Sequence, residues 1–540
     1  MKLFVIGIGG TGMRCLESLV QLCAIGMAGN SEINVLSLDT DTNNGNKNRS
    51  ESLLETYIRV KKDRNGQQVS LDESFFSAKL NFYRFAPSYS KGHKNFNQVC
   101  GIGQAMNKDI NHLNEALAEL LFDKDTRSFD LEHGYRAQTH IGSYLMYNAI
   151  RDEIRRIHKG AQAQQPHDVL SFLNKLRDAA QESDEEVRVF MMGSVFGGTG
   201  ASSIPILPKS LEDALTEIDP SAKFSGRIVY GATLLTNYFG FNKPKDDQIK
   251  QEKIIADADK FAFNCQAALT FYDGDTTIKN TYSRLYMVGW PLALAQYNSQ
   301  NNTTITGGLE QRNPAHVAEL LCASAAIDFL LDNPAKLGKH EFVFRNVENS
   351  QDQANFTFSD FFGTPARRIE FTNNLSSFLA FCFMLQNEQE GSLGTFAKIL
   401  AKEHGIADYK DIPEEDIRAI DDFTKHFAFS YRNGLSAIDS GWLRQMRESL
   451  NTNLLFDANV YQTDPKVLKK FNWGAILTNK EHHFAEKGIF SSPKPYEEFL
   501  SKFKKDPEVR TKPDFKSAKQ LERLLNHVYK TLTKLHKIKV

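Results

Sequence analysis

The chain has 540 residues, of which 41% are hydrophobic and 24% charged, as expected for a globular protein of two or three domains. Its formal net charge of -1 gives no reason to expect binding to nucleic acid or to an acidic membrane. No apolar run approaches the roughly 20 residues of a membrane span. The six cysteines form no CxxC pair, so we expect a cytoplasmic protein without a zinc site.

The first 40 residues predict a β-loop-α-β unit. Lys2–Ile6 is a short apolar strand, Gly7–Gly12 is a glycine turn, and Met13–Ile25 has the apolar spacing of a helix. Ile33–Leu38 is a second apolar strand, and it ends at Asp39. Such a unit joins its two strands by a right-handed crossover, so we expect an α/β fold with a parallel sheet.

Residues 43–133 are polar and read as an insertion, within which Lys108–Phe122 predicts a helix with leucines along one face. Further helices are predicted from Ser143 to about His158 and from Asp168 to about Gln181. Asp168 is placed to cap the second of these helices.

A second glycine loop follows the apolar strand Val187–Met192. The loop, Gly193–Gly200, again leads from a strand into a helix, and Thr199 adds a hydroxyl donor to it. Glycines let the backbone approach a phosphate closely, and the N–H groups at the start of the helix then bind it. Two such loops on one parallel sheet can hold a phosphate chain from both sides.

The remaining chain predicts a long helix, a second domain and a basic tail. Asn313 is a favoured N-cap and Pro314 fits the first helical turn, so a helix is expected from Asn313 to about Leu331, with Pro334 as its stop. This divides the chain into a nucleotide-binding domain (1–312), the helix (313–334), a second α+β domain (335–490) and a helical tail (491–540). Residues 501–540 carry twelve Lys/Arg against four Asp/Glu.

The tail has two interpretations. Its apolar positions recur at helical spacing, at Leu521, Leu525, Val528, Leu532 and Leu535. We favour packing of this basic amphipathic helix against its own chain. The alternative is a contact with a protein partner or with a neighbouring subunit.

Taken alone, the first loop satisfies the G-x-G-x-x-G pattern of dinucleotide-binding folds, with Asp39 as the acid that would hold the ribose. An NAD(P)-binding oxidoreductase is therefore one hypothesis. It leaves the second loop, Gly197–Gly200, without a role. Asp39 is also somewhat farther from the glycines than is typical, and a turn-capping role is the alternative for this residue.

With both loops considered, the chain resembles the tubulin/FtsZ superfamily. Phe196-Gly-Gly-Thr-Gly-Ala201 looks like the GGGTG(S/T)G signature loop, Ile6-Gly-Ile-Gly-Gly-Thr-Gly12 like the first glycine loop of FtsZ, and Leu38-Asp-Thr-Asp41 like its NTD loop. The segments starting at Glu132 and Asn313 also look like those of divergent bacterial tubulin-like proteins. The resemblance covers roughly residues 1–335.

The resemblance implies a guanine-nucleotide-binding protein that assembles head to tail, with GTP or GDP and Mg²⁺ as cofactors. The first loop (Gly9, Gly10, Thr11, Gly12, Met13 and the following Arg14) and the second loop (Gly197, Gly198, Thr199, Gly200 and Ala201) would bind the phosphates. Asp39 and Asp41 would lie near the metal and the γ-phosphate, and Arg136 would lie in the γ-phosphate-sensing loop. Asn313 and Glu319 would face the base, although Glu319 and Arg136 also suit ordinary surface positions.

The chain departs from this family at several positions. Arg14 replaces an asparagine, Ser202 replaces a glycine, and Thr236–Gly240 lacks the acid that FtsZ has near the ribose. No NxDxxD pattern follows the long helix, where Asp328, Asp332 and Asp360 are the nearest acids. Hydrolysis therefore stays open, and a non-hydrolysing nucleotide-sensing scaffold is a third hypothesis. We assign no catalytic residue and no metal ligand from the sequence.

Overall fold

The computed structural model describes residues 2–63, 65–68, 71–90, 92, 94–102, 108–132, 134–158, 168–182, 186–222, 224, 226–240, 260–290, 296–297, 308–309, 311–333, 337, 340–346, 361–387, 392–427, 441–446, 495–505 and 518–535. None of the helices in these ranges combines the length and apolar composition needed to cross a bilayer. The predicted second domain and basic tail lie partly outside the described residues, as does Asp360.

A seven-stranded sheet forms the core. The described residues form nine strands, which in chain order are β1 (Lys2–Ile8), β2 (Glu32–Leu38), β3 (Lys79–Phe85), β4 (Val187–Met192), β5 (Ile228–Leu235), β6 (Phe239–Gly240), β7 (Tyr282–Gly289), β8 (Gln296–Tyr297) and β9 (Glu341–Asn346). β6 and β8 pair with each other in a separate two-stranded sheet. The large sheet has the order β3-β2-β1-β4-β5-β7-β9, and all its neighbours pair in parallel. The predicted α/β class with a parallel sheet is therefore confirmed.

Helices cover both faces of this sheet, which is why strands such as β4 are buried along their whole length. Those of the first part are α1 (Gly9–Ala24), α2 (Gly45–Lys61), α3 (Phe96–Val99), α4 (Lys108–Leu121), α5 (Lys124–Ser128), α6 (Thr139–His158), α7 (Val169–Gln181), α8 (Gly198–Ser203), α9 (Leu207–Ile218), α10 (Phe261–Gly274), α11 (Thr276–Thr281) and α12 (Val317–Leu331). The later helices are α13 (Pro365–Asn387), α14 (Leu393–Lys402), α15 (Glu414–Phe427), α16 (Trp442–Gln445), α17 (Pro495–Lys505) and α18 (Gln520–Leu535).

Two predicted regions contribute to the main sheet. Residues 43–133, expected as an insertion, supply α2 and the edge strand β3. β9 lies in the part expected as a second α+β domain, yet it pairs with β7 and extends the same sheet. The other elements described between residues 361 and 446 are helical. The predicted cap of α7 is confirmed, because the carboxylate of Asp168 accepts from the Ser171 amide at 3.0 Å.

The long helix α12 is buried on nearly all sides and packs against α1, β4, β5 and β7. Its predicted start at Asn313 is wrong, because the helix begins at Val317 with His316 as N-cap. His316 and Glu319 form a reciprocal capping box, whereas Asn313 is held away from the helix by hydrogen bonds with Asn46 in α2. The predicted end at Leu331 is confirmed.

The other end of α12 is held by an arginine from the sheet. Arg188 on β4 is fully buried and donates to the carbonyl oxygens of Phe329 (2.8 Å), Leu330 (3.1 Å) and Asp332 (2.8 Å). The last carbonyls of a helix have no partner within the helix itself. Arg188 therefore caps the C-terminal end of α12 by donating hydrogen bonds to these carbonyl oxygens.

The C-terminal helix α18 packs against its own chain, by way of α13 and α17. Leu521, Leu525, Val528 and Leu532 are buried, as expected for the favoured interpretation of the tail. A buried ion pair between Lys61 of α2 and Glu522, at 3.0 Å, adds a polar contact to this interface. The apolar face of α18 is thus used within the chain.

Candidate functional site

The two glycine loops lie side by side at the carboxyl ends of two neighbouring strands of the sheet. The first follows β1 and the second follows β4, and these strands are neighbours in the sheet. The N-caps of α1 and α8 are Ile8 and Gly197, and neither supplies a side-chain cap. The first N–H groups of each helix are therefore not capped by a side chain from the N-cap.

The loops approach each other so closely that glycine is required. A Cβ on Gly12 would lie 2.5 Å from the carbonyl oxygen of Met192, at the end of β4. Gly9 has a φ of +67°, and a Cβ there would lie 3.2 Å from the Cβ of Thr199. The glycines thus allow the two loops to form one continuous surface.

A third loop, residues 134–137, closes against the second. A Cβ on Gly198 would lie 2.9 Å from the amide nitrogen of Ala137 and 3.1 Å from that of Arg136. Arg136 and Ala137 have φ values of +46° and +62°, a left-handed conformation that is costly for residues with a side chain. Such strain is concentrated at functional sites, and here it brings backbone N–H groups next to the second loop.

The loop after β2 supplies hydroxyl and carboxyl groups to the same place. The Thr40 hydroxyl lies 3.2 Å from that of Thr199. A Cβ on Gly134 would lie 3.3 Å from the Thr40 hydroxyl and 3.5 Å from that of Thr199. Four loops therefore converge on one point.

The two acids of this loop differ in how many of their carboxylate oxygens accept hydrogen bonds. Asp41 accepts from the amides of Asn43 (3.0 Å) and Gly308 (2.7 Å), so both of its oxygens have partners. Asp39 accepts from the Asp41 amide through Oδ1 at 3.2 Å, but its buried Oδ2 has no hydrogen-bond partner among the described residues. Burial raises the pKa of Asp39 to about 7, against the lowering effect of Lys47.

These loops line a cleft. Its lining residues are Ile8, Gly9, Gly10, Thr11, Asp39, Asp41, Asn44, Gly134, Tyr135, Arg136, Ala137, Ser194, Phe196, Gly197, Gly198, Thr199, Gly200, Phe261 and Gln311. The structure thus brings together Gly9–Thr11 of the first glycine loop, Gly197–Gly200 of the second, the two acids and Arg136. The guanidinium of Arg136 itself lies over the ring of Phe129, 5.9 Å from its centroid.

Six of the predicted site residues do not line this cleft: Gly12, Met13, Arg14, Ala201, Asn313 and Glu319. Gly12, Met13 and Ala201 are buried. Asn313 exchanges two hydrogen bonds with Asn46, each of 2.9 Å. Its side chain therefore fastens the segment before α12 to α2.

Arg14 and Glu319 form a buried ion pair. The Arg14 guanidinium also donates to the Pro314 carbonyl oxygen at 2.5 Å. Glu319 also accepts from the Tyr238 hydroxyl (2.6 Å) and the His316 amide (3.0 Å). Glu319 is 0% exposed, so it is not the solvated position that the sequence left open.

Three lining residues, Asn44, Phe261 and Gln311, lie outside the loops that sequence analysis predicted. Asn44 caps α2 by accepting from the Asn46 and Lys47 amides, and its amide donates to Gln311 at 2.6 Å. Phe261 packs on Phe196 with 5.3 Å between ring centroids. Asn44 could have been predicted as a helix cap, because Asn is favoured directly before a helix. No local sequence pattern indicates Phe261 or Gln311.

The acids nearest the end of α12 are engaged within the chain. Asp328 accepts from the Gly363 amide at 2.6 Å and pairs with Arg345 at 3.3 Å. Asp332 pairs with Arg284 at 3.0 Å. Asp360, the third of the acids singled out in the sequence, lies outside the described residues.

Comparisons with known proteins found no match, either among protein-family models or among curated proteins.

Proposed function

We propose that this protein binds a nucleoside triphosphate, GTP in the first place, between its two glycine loops, in the manner of tubulin-like proteins. The observation that carries the proposal is the convergence of both loops, from the adjacent strands β1 and β4, on one cleft closed by residues 134–137. One glycine loop suffices for a pyrophosphate, whereas two facing loops suit a longer phosphate chain.

The phosphates would be held mainly by backbone N–H groups. Those of Gly9–Met13 and Gly197–Ala201 stand at the starts of α1 and α8, and the Thr199 hydroxyl adds a side-chain donor. Mg²⁺ would enter with the triphosphate and neutralise part of its charge. Asp39 supports this fit, because it offers the cleft a carboxylate oxygen that has no protein partner among the described residues.

Guanine selection is proposed through Glu319, since a carboxylate accepts from the N1–H and 2-amino groups that adenine lacks. In the structure Arg14 is paired with the Glu319 carboxylate. Its guanidinium offers a pair of N–H donors similar to the N1–H and 2-amino groups of guanine. The base can therefore reach Glu319 only when Arg14 moves away. GTP and ATP should differ in affinity if this exchange occurs, and should bind alike if Arg14 stays.

Head-to-tail assembly is part of the proposal. Exposed apolar side chains stand close in sequence to lining residues of the cleft, with Phe263 in α10 at 71% and Leu309 at 58% exposure. An interface on this side of the cleft would bury such exposed apolar groups. A subunit stacked on this edge would cover the nucleotide and give an open, repeating contact.

The second candidate is an NAD(P)-binding oxidoreductase. The order of the first six strands in the large sheet, β3-β2-β1-β4-β5-β7, also suits dinucleotide-binding folds, so topology does not separate the two functions. The second glycine loop favours the triphosphate, because a dinucleotide needs only the first. A non-hydrolysing nucleotide sensor shares the proposed site and differs only in turnover.

The test is a binding titration of the purified chain with GTP, GDP, ATP, NAD and inorganic tripolyphosphate. We expect GTP and tripolyphosphate to bind and NAD to bind at least tenfold more weakly. Thr199→Val keeps the side-chain shape but loses a hydrogen bond to a charged group. Such a bond is worth about 1.5–3 kcal/mol, so triphosphate affinity should fall at least roughly tenfold.

Thr216→Val, at an exposed position of α9, is the matched control and should bind as the unmodified protein does. Preferential NAD binding without triphosphate affinity would overturn the proposal. Negative-stain microscopy with and without GTP and Mg²⁺ tests assembly separately.

A further inference from the structure

The two edges of the seven-stranded sheet differ in what covers them. At the edge formed by β3, the Gln68 side chain donates to the Leu80 carbonyl oxygen at 2.8 Å and accepts from the Leu80 N–H at 3.1 Å. At the opposite edge, β9 pairs with β7, and no strand lies on its outer side in the described part of the chain. An open edge presents backbone N–H and C=O groups that can bind another strand.

β9 has few of the features that usually prevent such pairing. Its six residues include no proline, glycine or lysine. Its register with β7 is continuous from Arg284↔Glu341 to Gly289↔Asn346, so no bulge bends it away. Phe344, in the middle of the strand, is 62% exposed. A regular edge strand with an exposed aromatic side chain is a surface to which a further strand can add.

The sequence of β9 is complementary to itself in the antiparallel direction. In an antiparallel pair centred on Val343, Glu341 of each copy stands opposite Arg345 of the other. In the same register, Phe342 of each copy stands opposite Phe344 of the other. Directly opposite residues share one face of a sheet, so opposite charges meet and aromatic rings meet. A parallel pair in register would instead oppose Glu341 to Glu341 and Arg345 to Arg345, which is destabilising.

Both charged residues can make this contact without losing their present partners. Glu341 pairs with Arg284 at 3.2 Å and keeps 56% of its side chain exposed. Arg345 pairs with Asp328 at 3.3 Å and donates to the Phe344 carbonyl oxygen at 3.3 Å. A carboxylate has about four acceptor positions and a guanidinium has five N–H donors. Pairing of two copies therefore does not require these ion pairs to break.

We propose that β9 binds β9 of a second copy of this chain, antiparallel and centred on Val343, so that the two large sheets join into one. The same surface is used on both copies, so the contact is a closed twofold dimer. The exposed ring of Phe344 is then covered by Phe342 of the other copy. None of the β9 residues lines the cleft, so the contact is separate from the proposed nucleotide site. It also differs from the proposed head-to-tail contact, which is open and repeating.

The first experiment tests the register by cross-linking the full-length protein. Val343→Cys places a thiol at the twofold axis, where opposite Cα atoms are about 4.5–5.5 Å apart, within reach of a disulfide. Phe344→Cys is the matched control, because the two copies of this residue are diagonal neighbours about 7–8 Å apart, which is too far. After mild oxidation with copper phenanthroline, we expect a disulfide-linked dimer for Val343→Cys and at least tenfold less for Phe344→Cys. Random collision would favour the more exposed Phe344 position instead.

The second experiment measures the dimer by sedimentation velocity in the absence of nucleotide. A single strand pair is a small interface, so we expect a reversible dimer with a Kd in the micromolar range, observed between about 1 and 100 μM protein. Phe344→Lys removes the aromatic pair from both halves of the contact and puts a lysine on each edge. The Kd should rise at least roughly tenfold. Phe271→Lys makes the same change at a position of α10 that is 51% exposed, and should leave the Kd unchanged.

The other outcomes contradict the inference. A protein that stays monomeric up to about 100 μM overturns it, whether another part of the chain covers β9 or the edge stays open. A dimer that is unaffected by Phe344→Lys, or that cross-links equally well through both cysteine variants, uses another surface or register and overturns it too. If Val343→Cys fails to fold, Phe344→Lys decides, because that side chain is exposed. Neither assay contains nucleotide, so this inference and the proposed function can fail separately.

Discussion

The guanidinium of Arg14 is paired with the carboxylate of Glu319 inside the protein, joining the helix after the first glycine loop to the first turn of α12. Both residues carry further buried partners, Pro314 and Tyr238 among them. The residue pair therefore has a structural role as well as its proposed part in base selection.

Arg14→Met should destabilise the protein strongly, because it leaves the buried Glu319 without its cation. Breaking a buried pair by removing one partner costs about 3–5 kcal/mol. Urea unfolding measures the loss. Lys209→Met is the control, since Lys209 is 66% exposed in its pair with Asp213 and its loss should cost less than about 1 kcal/mol. Equal costs for the two variants would contradict this role of Arg14.

Leu525→Ala in α18 should cost about 2–5 kcal/mol of unfolding free energy, because Leu525 is buried against the rest of the chain. Leu113→Ala in α4 makes the same chemical change at a position that is 73% exposed, where we expect about 0.5 kcal/mol or less. Chemical denaturation of both variants checks the pair. Similar small effects would show that α18 is not part of the folded core.

Glu17 should stabilise the protein at neutral pH and stop doing so in acid. Arg49 and His426 hold the pKa of this buried carboxyl at about 2, below its ordinary 4.5. A depressed pKa gives stability that is present above the unfolded value and lost as pH falls toward the folded one. The stability difference between the unmodified protein and Glu17→Gln should shrink by roughly 2 kcal/mol between pH 6 and pH 3. For Glu415→Gln, at an exposed position of α15, the difference should not change.

Asp39 should show the opposite sign. Its pKa in the folded protein is about 7 against an ordinary 3.8, so its contribution to stability is present below pH 3.8 and is lost as pH rises through 7. Asp39→Asn removes that loss and should stabilise the protein at pH 8, by roughly 4 kcal/mol in the limit of full ionisation. Thermal unfolding at pH 5 and pH 8 tests this. A variant less stable than the parent at pH 8 would be inconsistent with an unpaired buried carboxylate.

The sequence was most informative where the signal is local. The strand, glycine loop and helix start are contiguous, so Gly9 and Gly197 could be placed at the carboxyl ends of two parallel strands. The cap at Asp168 was likewise local, an acid directly before a helical segment. The adjacency of β1 and β4 was not in the sequence, yet it makes the two loops one site.

What failed depended on distant partners. Asn313-Pro314 looked like a helix start, but Asn46 of α2 holds Asn313 and the cap is His316. The leucines of α4 share a face as predicted, yet Leu113 and Leu120 are exposed, because periodicity shows which residues share a face and not what covers it. The ion pair between Arg14 and Glu319 was not predicted either, because nothing in the sequence tells that two remote charges meet. Their contact with a ligand stays a prediction.

Two arginines fasten α12 at opposite ends. Arg14, on the helix after the first glycine loop, holds its first turn, and Arg188, on the strand before the second loop, holds its last carbonyls. The helix therefore connects α1, which follows the first glycine loop, with β4, which precedes the second. Any change in the spacing of the loops, such as a phosphate chain wedged between them, must either carry α12 along or break one of its anchors. We therefore expect movement at the cleft to reach the far end of the helix.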